Sequence, residues 1–158
     1  MNIRIGQGID FHRLEKGIVL RLGGVKIPSD KGCAAYSDGD VLLHSICDAL
    51  LGAAGLRDIG CQFPDSDPAY KNIDSRILLR KSFELISGKG YHVINIDSTL
   101  CLEKPRIAGY IPEMRNIISD ILNTTPESVS IKATTTEGLG FTGREEGVVA
   151  FATALLST

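Results

Sequence analysis

Apolar and polar residues alternate at the start of the chain and again near its end, which is the periodicity of a half-buried β-strand. Residues 2–9 alternate as one strand, and a hairpin follows over 19–22 and Val25–Ile27, because Gly23-Gly24 supplies the positive φ angles of a tight turn. Pro28 is expected to end that pairing, since proline has no N–H to donate to a ladder. β-branched content predicts further strands over 91–103, 129–135 and 148–156, with a helix as the alternative for the last.

Helical periodicity occupies three stretches between these strands. The first helix is predicted to open with a capping box, in which Ser37 is followed by Asp40 in place of the usual Glu, and to close at Gly52 and Gly55. Two more helices are predicted over Ser75–Ser87 and 111–122.

Two segments lack periodicity and are predicted to be loops. Residues 56–73 form the longer one, a candidate lid, because loops of this length are usually functional or mobile. Residues 136–144 form a glycine-rich loop. The mixed order of hairpin, helices and strands predicts one α+β domain over residues 1–158, a two-layer sandwich of a mixed β-sheet with helices on one face.

Composition and charge narrow the classes of partner. Among 158 residues, 17 basic and 19 acidic side chains give a formal charge of −2, so we expect no nucleic acid and no membrane as partner. The chain contains no export signal and no apolar run near the ~20 residues that cross a bilayer, so a cytoplasmic protein is expected. Four cysteines without a Cys-x-x-Cys pair are expected to be buried or semi-buried free thiols.

Two of the three histidines lie in patterns that suit a metal ion. Asp10 and His12 are two apart on an extended segment, so their side chains leave the same face. His44 has Asp40 and Asp48 one turn away on either side, a polar stripe that we expect to face a cleft. Three N or O ligands with an open fourth position characterise catalytic zinc, but a turn pair and a solvated helix face explain the same spacing.

A second polar group comprises residues 132–137, Lys132-Ala133-Thr134-Thr135-Thr136-Glu137. Hydroxyls and backbone N–H groups at a strand end beside a glycine-rich turn suit phosphate, and Glu137 suits Mg²⁺. The alternative is that threonine is simply a common strand residue. The sequence contains no P-loop, and Gly6-Gln7-Gly8 lacks the remaining glycine of a dinucleotide fingerprint.

Four motifs, in order and with matching spacing, resemble the 2-C-methyl-D-erythritol 2,4-cyclodiphosphate synthase family. They are Gly6-Gln7-Gly8-Ile9-Asp10-Phe11-His12-Arg13-Leu14, Ser37-Asp38-Gly39-Asp40-Val41-Leu42-Leu43-His44, Asp58-Ile59-Gly60 with Phe63-Pro64-Asp65, and residues 132–137 with Gly140-Phe141-Thr142-Gly143-Arg144. The resemblance implies a homotrimer with active sites between subunits, and a metal-dependent closure of a cyclic diphosphate that releases CMP in non-mevalonate isoprenoid precursor synthesis. Positioning and charge neutralisation suffice for such phosphoryl transfer.

The resemblance also assigns roles to individual residues. Zinc is expected on Asp10, His12 and His44, and a second divalent cation, Mg²⁺ or Mn²⁺, on Glu137; Thr135 and Tyr36 are expected to be catalytic. The expected substrate-binding residues are Ser37, Asp58, Ile59, Gly60, Phe63, Asp65, Asp67, Thr134, Thr136, Phe141 and Arg144. The expected nucleotide-binding residues are Leu102, Glu103, Lys104, Pro105, Arg106, Ile107, Ala108 and Ala133.

The sequence departs from the family pattern at two positions. Tyr36 stands where the family commonly has His, which matters only if a side-chain cation is needed there. Phe151 stands where Glu is often found, so a pairing near the trimer's central cavity is expected to be lost. Two other functions remain open. One is a non-catalytic nucleotide-binding module in which a fourth protein ligand completes the coordination shell of the metal. The other is a generic metal phosphohydrolase that forms linear products.

Overall fold

The computed structural model describes residues 2–158, and within that range one mixed sheet organises the fold. Its five strands lie in the order β4-β1-β7-β5-β6, with β5 and β6 parallel and the remaining pairs antiparallel. The strands are β1 (Ile3–Lys16), β4 (Lys31–Ala34), β5 (His92–Cys101), β6 (Val129–Thr134) and β7 (Gly147–Ser157). A separate hairpin pairs β2 (Leu20–Leu22) with β3 (Val25–Ile27). The predicted α+β class and mixed sheet are confirmed.

Helices cover one face of this sheet. The long ones are α1 (Val41–Ala53), α3 (Ser75–Ser87) and α4 (Ile111–Ile121); α2 (Ile59–Gln62) and α5 (Gly140–Gly143) are single turns, and 3₁₀ turns lie at Pro68–Tyr70, Ala108–Tyr110 and Pro126–Ser128. α1 lies on β1 and β7, α3 packs on α1, and α4 lies on β6. One apolar core joins the helices to the inward side of the strands.

Two glycines of β1 allow α1 to lie directly on the sheet. A methyl group on Gly6 would come within 2.0 Å of the Ala49 carbonyl oxygen, and one on Gly8 within 1.9 Å of the Ser45 carbonyl oxygen. The helix backbone therefore contacts the strand backbone where larger residues would hold them apart. This contact fixes the distance between β1 and α1, the two elements that contain the predicted metal ligands.

The structure corrects several predicted boundaries. β1 continues to Lys16 because its last four residues, 13–16, pair with β4, a short strand that the sequence did not predict. The predicted loop 56–73 contains α2 and the 3₁₀ turn at Pro68–Tyr70, and the glycine-rich loop contains α5. The capping box at Ser37 is wrong: Asp40 is the N-cap of α1, and Gly39 at φ 77° cannot belong to the helix.

The opposite face of the sheet is open along β1 and β7 and is apolar there. Its exposed side chains include Ile3, Ile5, Ile9, Phe11 and Phe151, of which Ile5 is 72% exposed. Phe151 pairs with Ile9 across the β1/β7 ladder. Apolar faces of this extent commonly mark protein contacts. Separately, every helix within the described residues is too short or too polar to span a bilayer.

The cysteines are free thiols throughout the described range. Burial raises the pKa of the Cys33 and Cys47 thiols to about 12, since an apolar interior disfavours the thiolate. Cys61 is exposed, which corrects the expectation that all four thiols would be at least partly buried.

Candidate metal centre and substrate cavity

Asp10, His12 and His44 converge at one point between β1 and α1. The pleat of β1 presents Asp10 and His12 on its inward face, and α1 presents His44 from above. Asp10 Oδ2 lies 3.1 Å from His44 Nδ1 and 3.5 Å from His12 Nε2, and His12 Nε2 lies 3.2 Å from His44 Nδ1. One carboxylate oxygen and two imidazole nitrogens thus lie within 4.8 Å of one another.

The charge balance of this cluster suits a cation. Burial opposes a charged imidazole on His44, but the hydrogen bond and negative charge of Asp10 outweigh it, so the pKa of His44 is raised. Asp38 and Asp40 add to this negative field. Two imidazoles and one carboxylate are the ligand types that divalent zinc prefers, and the nitrogen and oxygen atoms already face one another. The three residues therefore fit a divalent metal ion.

A cavity of about 310 Å³ opens beside Asp10, His12 and His44. Its walls combine polar and apolar groups from β1, α1, α2 and α3 and from the loops that precede α1 and α3. Besides the cluster, the predicted site residues that line it are Tyr36, Ser37, Ile59, Gly60, Phe63 and Asp65. Ligand sites are commonly concave and mostly apolar with a few placed polar groups, and this cavity has that character.

Side-chain acceptors hold the wall formed by α2 in place. Asp58 caps α2 by accepting from the Cys61 N–H at 2.8 Å, and Asp48 accepts from the Ile59 N–H at 2.7 Å. Asp67 caps the 3₁₀ turn that follows, and its carbonyl accepts from the Tyr36 hydroxyl at 3.3 Å. Asp58 and Asp67 thus hold turns beside the cavity, whereas the sequence resemblance assigned both to substrate.

A second cavity, of about 200 Å³, lies toward the β6 edge of the sheet, where β5 and β6 end. Its lining residues are Leu102, Glu103, Pro105, Arg106, Ile107, Ala108, Ala133, Thr134 and Thr135. Seven of the eight predicted nucleotide-binding residues are among them; the eighth, Lys104, pairs with Glu145 at 3.1 Å. Glu103 accepts from the Thr136 N–H at 2.9 Å and so joins the two segments of the wall.

The predicted phosphate-binding loop borders this second cavity. The Thr135 hydroxyl lies 3.3 Å from Glu137 Oε1, and both residues are exposed. The Thr136 hydroxyl donates to the Leu139 carbonyl at 2.7 Å and is held inside the loop. Phe141 and Arg144 instead line a third, larger cavity of about 660 Å³ together with His12.

The two predicted halves of the site are far apart within one chain. Asp10 pairs with Ala150, which pairs with Leu100, which pairs with Ala133. Three strand spacings, about 14 Å, therefore separate the cluster of Asp10, His12 and His44 from the second cavity. One chain brings together the three predicted metal ligands with residues 36–65, and separately residues 102–108 with 133–137.

Two members of the predicted polar stripe on α1 do not face the cavity. Asp40 is fully buried, where its carboxylate accepts from the N–H groups of Gly23, Gly24 and Leu43 at 2.9, 2.7 and 3.1 Å. Asp48 points at Ile59. The expectation that the whole stripe faces a cleft is wrong, because an N-cap carboxylate turns back toward the helix end.

The structure also reveals polar groups behind His44 that the sequence did not indicate. Ser75, fully buried at the start of α3, lies 2.8 Å from His44 Nε2, and its hydroxyl donates to Asp38. A serine at the first position of a helix is common, so its residue type gave no signal.

Comparison with known proteins places the chain in a family. The model of the YgbB family matches residues 3–157. A protein of Bacteroides fragilis strain YCH46 named 2-C-methyl-D-erythritol 2,4-cyclodiphosphate synthase is 53% identical over 157 residues, which is 99% of each chain. The protein of that name from Acinetobacter baumannii strain AYE is 56% identical over 155 residues, 98% of this chain and 97% of the relative.

Solved structures agree with these relatives. A structure of 2C-methyl-D-erythritol-2,4-cyclodiphosphate synthase bound to CDP superposes with a TM-score of 0.90 at 36% identity, covering 98% of this chain and all of the other. The bifunctional IspDF of Campylobacter jejuni superposes with a TM-score of 0.94 at 40% identity; the chain covers 42% of its length. By family model, identity and fold together, the chain belongs to the YgbB family, whose relatives are named 2-C-methyl-D-erythritol 2,4-cyclodiphosphate synthases.

Proposed function

We propose that the protein closes the cyclic diphosphate of 2-C-methyl-D-erythritol 2,4-cyclodiphosphate from 4-diphosphocytidyl-2-C-methyl-D-erythritol 2-phosphate, as a phosphorus–oxygen lyase of non-mevalonate isoprenoid precursor synthesis. An oxygen of the 2-phosphate attacks the β-phosphorus, and the bond from that phosphorus to the oxygen of CMP breaks. The observation that carries the proposal is the convergence of Asp10, His12 and His44 in the wall of a cavity of about 310 Å³.

Asp10, His12 and His44 would hold zinc, and Glu137 a second divalent cation, Mg²⁺ or Mn²⁺. Such cations neutralise phosphate charge and polarise phosphorus–oxygen bonds when bound. Support comes from the three facing donor atoms between β1 and α1, and from the exposed Glu137 carboxylate beside the Thr135 hydroxyl. The side chains themselves act by holding the phosphates in register for in-line attack.

Residues of the first cavity would hold the methylerythritol end of the substrate. Asp65 offers a carboxylate to sugar hydroxyls, while Ile59, Gly60 and Phe63 supply the apolar wall against the methyl group and carbon chain. The Ser37 hydroxyl would donate to the β-phosphate. Tyr36 replaces a more common histidine; its hydroxyl is directed to the Asp67 carbonyl, so its contribution to phosphate would come from the backbone N–H.

The second cavity would enclose the cytosine of CMP. Leu102, Ile107 and Ala133 supply apolar surface, and backbone groups of residues 102–108 can hydrogen-bond a pyrimidine edge. Two of the similar solved structures, one of them from Plasmodium falciparum, are complexes with CDP. Thr135 would then lie between nucleotide and phosphates and stabilise the developing charge by donating a hydrogen bond.

We propose a homotrimer because one chain contains both halves of the site but not together. Within one chain these halves lie about 14 Å apart. They would come together if the second cavity of one subunit faced the proposed metal ligands of the neighbouring subunit. The apolar open face of β1 and β7 supplies surface that such an assembly would bury. Light scattering should give about three times the 17.0 kDa chain mass, and an active monomer would contradict the arrangement.

The test is CMP release from the diphosphocytidyl substrate by the metal-replete protein, with phosphorus NMR of the other product. We expect a cyclic diphosphate and loss of activity in His44→Ala. His92→Ala is the matched control, since His92 lies on β5 and hydrogen-bonds Ser157 away from the site. No CMP from the wild-type protein would refute the proposal, and a linear product would favour a phosphohydrolase.

The zinc coordination shell separates an enzyme from a binding module. Zinc X-ray absorption spectroscopy should find three protein ligands and an open or water-filled fourth position. Asp65→Ala should raise KM or lower kcat while leaving zinc content unchanged. A zinc coordination shell completed by a fourth protein ligand would contradict the enzyme assignment. A loss of zinc from Asp65→Ala in proportion to its loss of activity would contradict the role of Asp65 in substrate binding.

A further inference from the structure

The second nitrogen of His44 faces away from the cluster and contacts a buried serine. Nδ1 points at Asp10 and His12, while Nε2 lies 2.8 Å from the Ser75 hydroxyl. Ser75 is fully buried at the start of α3, and it lies on the opposite side of the imidazole from the metal ligands.

Asp38 determines the direction in which the Ser75 hydroxyl donates. The Ser75 hydroxyl donates to Asp38 Oδ1, and the Ser75 N–H donates to Asp38 Oδ2 at 3.0 Å. The Asp40 N–H donates to Asp38 Oδ1 at 3.2 Å, so backbone groups on both sides hold the carboxylate still. An ionised carboxylate only accepts, which leaves the Ser75 oxygen lone pairs for a donor on Nε2.

We propose that Ser75 and Asp38 are positioning residues that hold His44 as its Nε2–H tautomer, with the Nδ1 lone pair directed at the space shared with Asp10 and His12. The inference rests on the proposed metal binding at that cluster. Partners behind a histidine ligand fix its tautomer and ring orientation and increase its basicity. Here the relay runs from Asp38 through the Ser75 hydroxyl to the imidazole and connects α3 to the ligand on α1.

A competing partner for Nε2 is the Ser37 hydroxyl, at 3.2 Å. Ser37 also accepts from the Gly39 N–H at 3.2 Å and lines the open cavity. Its contact with Nε2 is longer than that of Ser75, and in the proposed reaction its hydroxyl donates to phosphate. Ser75 is the partner that stays in place when substrate binds.

The test is the dissociation constant for zinc of purified Ser75→Ala, measured by chelator competition at pH 8. We expect zinc affinity to fall about 10- to 100-fold, the usual effect of removing a partner behind a metal ligand. Ser119→Ala is the matched control, because Ser119 is equally buried and its hydroxyl donates to Asn116 in α4. Ser75→Thr retains the hydroxyl and should restore most of the affinity. Zinc affinity in Ser75→Ala within threefold of wild type would overturn the proposal.

A measurement on the wild-type protein keeps the inference testable if Ser75→Ala does not fold. Nitrogen-15 NMR of histidine-labelled, zinc-loaded protein at pH 8.5 should show His44 bound to zinc through Nδ1 and protonated at Nε2, and coordination through Nε2 would overturn the relay. Absence of zinc binding to the wild-type protein would instead refute the proposed metal function. The two failures are therefore distinguishable.

Discussion

Gly8 lies where β1 crosses beneath α1, and its substitution by alanine tests how the fold brings together Asp10, His12 and His44, the proposed metal ligands. The added methyl group would lie 1.9 Å from the Ser45 carbonyl oxygen and 2.8 Å from the Ala49 N–H nitrogen. Ordinary contact begins near 3.4 Å, so strand and helix must separate by about 1.5 Å. The obstructing atoms are helix backbone, and therefore no side-chain rotation relieves the clash.

The energetic cost follows from this displacement. Overpacking costs ~1–3 kcal/mol where side chains adjust, and we expect about 3 kcal/mol or more here because a whole helix must shift. For a chain of this size that corresponds to a fall in Tm of roughly 6–12 °C. Ser45 follows His44, so His44 moves with it. Metal sites tolerate about 0.2 Å in ligand distance, and zinc affinity should be lost even where the fold persists.

Thermal denaturation by circular dichroism, followed by zinc titration, measures both effects at a fixed subunit concentration. Gly52→Ala is the matched control: it lies in α1 itself, and its nearest contact would be the Gln7 carbonyl oxygen at 4.0 Å. Alanine should stabilise that position by up to about 1 kcal/mol. A Tm for Gly8→Ala equal to wild type, or unchanged zinc affinity, would refute this account of the cluster.

Three further substitutions or treatments probe buried polar groups. Asp40→Ala should lower the free energy of unfolding in urea by about 3 kcal/mol or more, because three backbone N–H groups lose their acceptor; a loss under 1 kcal/mol would be inconsistent. The pKa of the buried Cys47 thiol is raised to about 12, which leaves roughly one thiolate in ten thousand at pH 8. Iodoacetamide should therefore alkylate the exposed Cys61 before Cys47. Equal alkylation rates for the two cysteines, measured by mass spectrometry, would contradict this. Asp48→Ala should raise KM about tenfold at unchanged zinc content by releasing the Ile59 N–H, whereas Asp48→Asn, which keeps an acceptor, should not.

The sequence predicted the elements whose periodic pattern extends over many residues. It missed the short elements that form through strand pairing or helix capping. β4 consists of Lys31-Gly32-Cys33-Ala34, four residues with no strand-like composition, and it forms because residues 13–16 at the end of β1 offer a free edge. α2 exists because Asp58 and Asp48 supply acceptors for its first N–H groups. Such elements depend on partners distant in sequence, and local propensity does not contain that information.

The sequence singled out Asp10, His12 and His44 individually as proposed metal ligands, but their convergence could not be derived from spacing. Alternation along β1 places Asp10 and His12 on one face, and helical periodicity places His44 in a polar stripe. The same stripe predicted a cleft-facing Asp40, which is wrong because Asp40 closes the turn between β2 and β3. Periodicity gives the direction of a side chain from its helix but does not identify the element that the side chain meets.

The close contact of strand and helix explains why short side chains suffice for this site. Asp10 and His12 project from β1 toward α1, and His44 projects from α1 toward them, so their combined reach must span the gap between two backbones. Gly6 and Gly8 reduce that gap to direct backbone contact, and the Ser75–Asp38 pair holds the imidazole from behind. Tight packing on one side and a hydrogen-bonded brace on the other fix the nitrogen and oxygen atoms before any ion arrives. A preorganised site of this kind would bind the proposed cation with little further loss of conformational freedom.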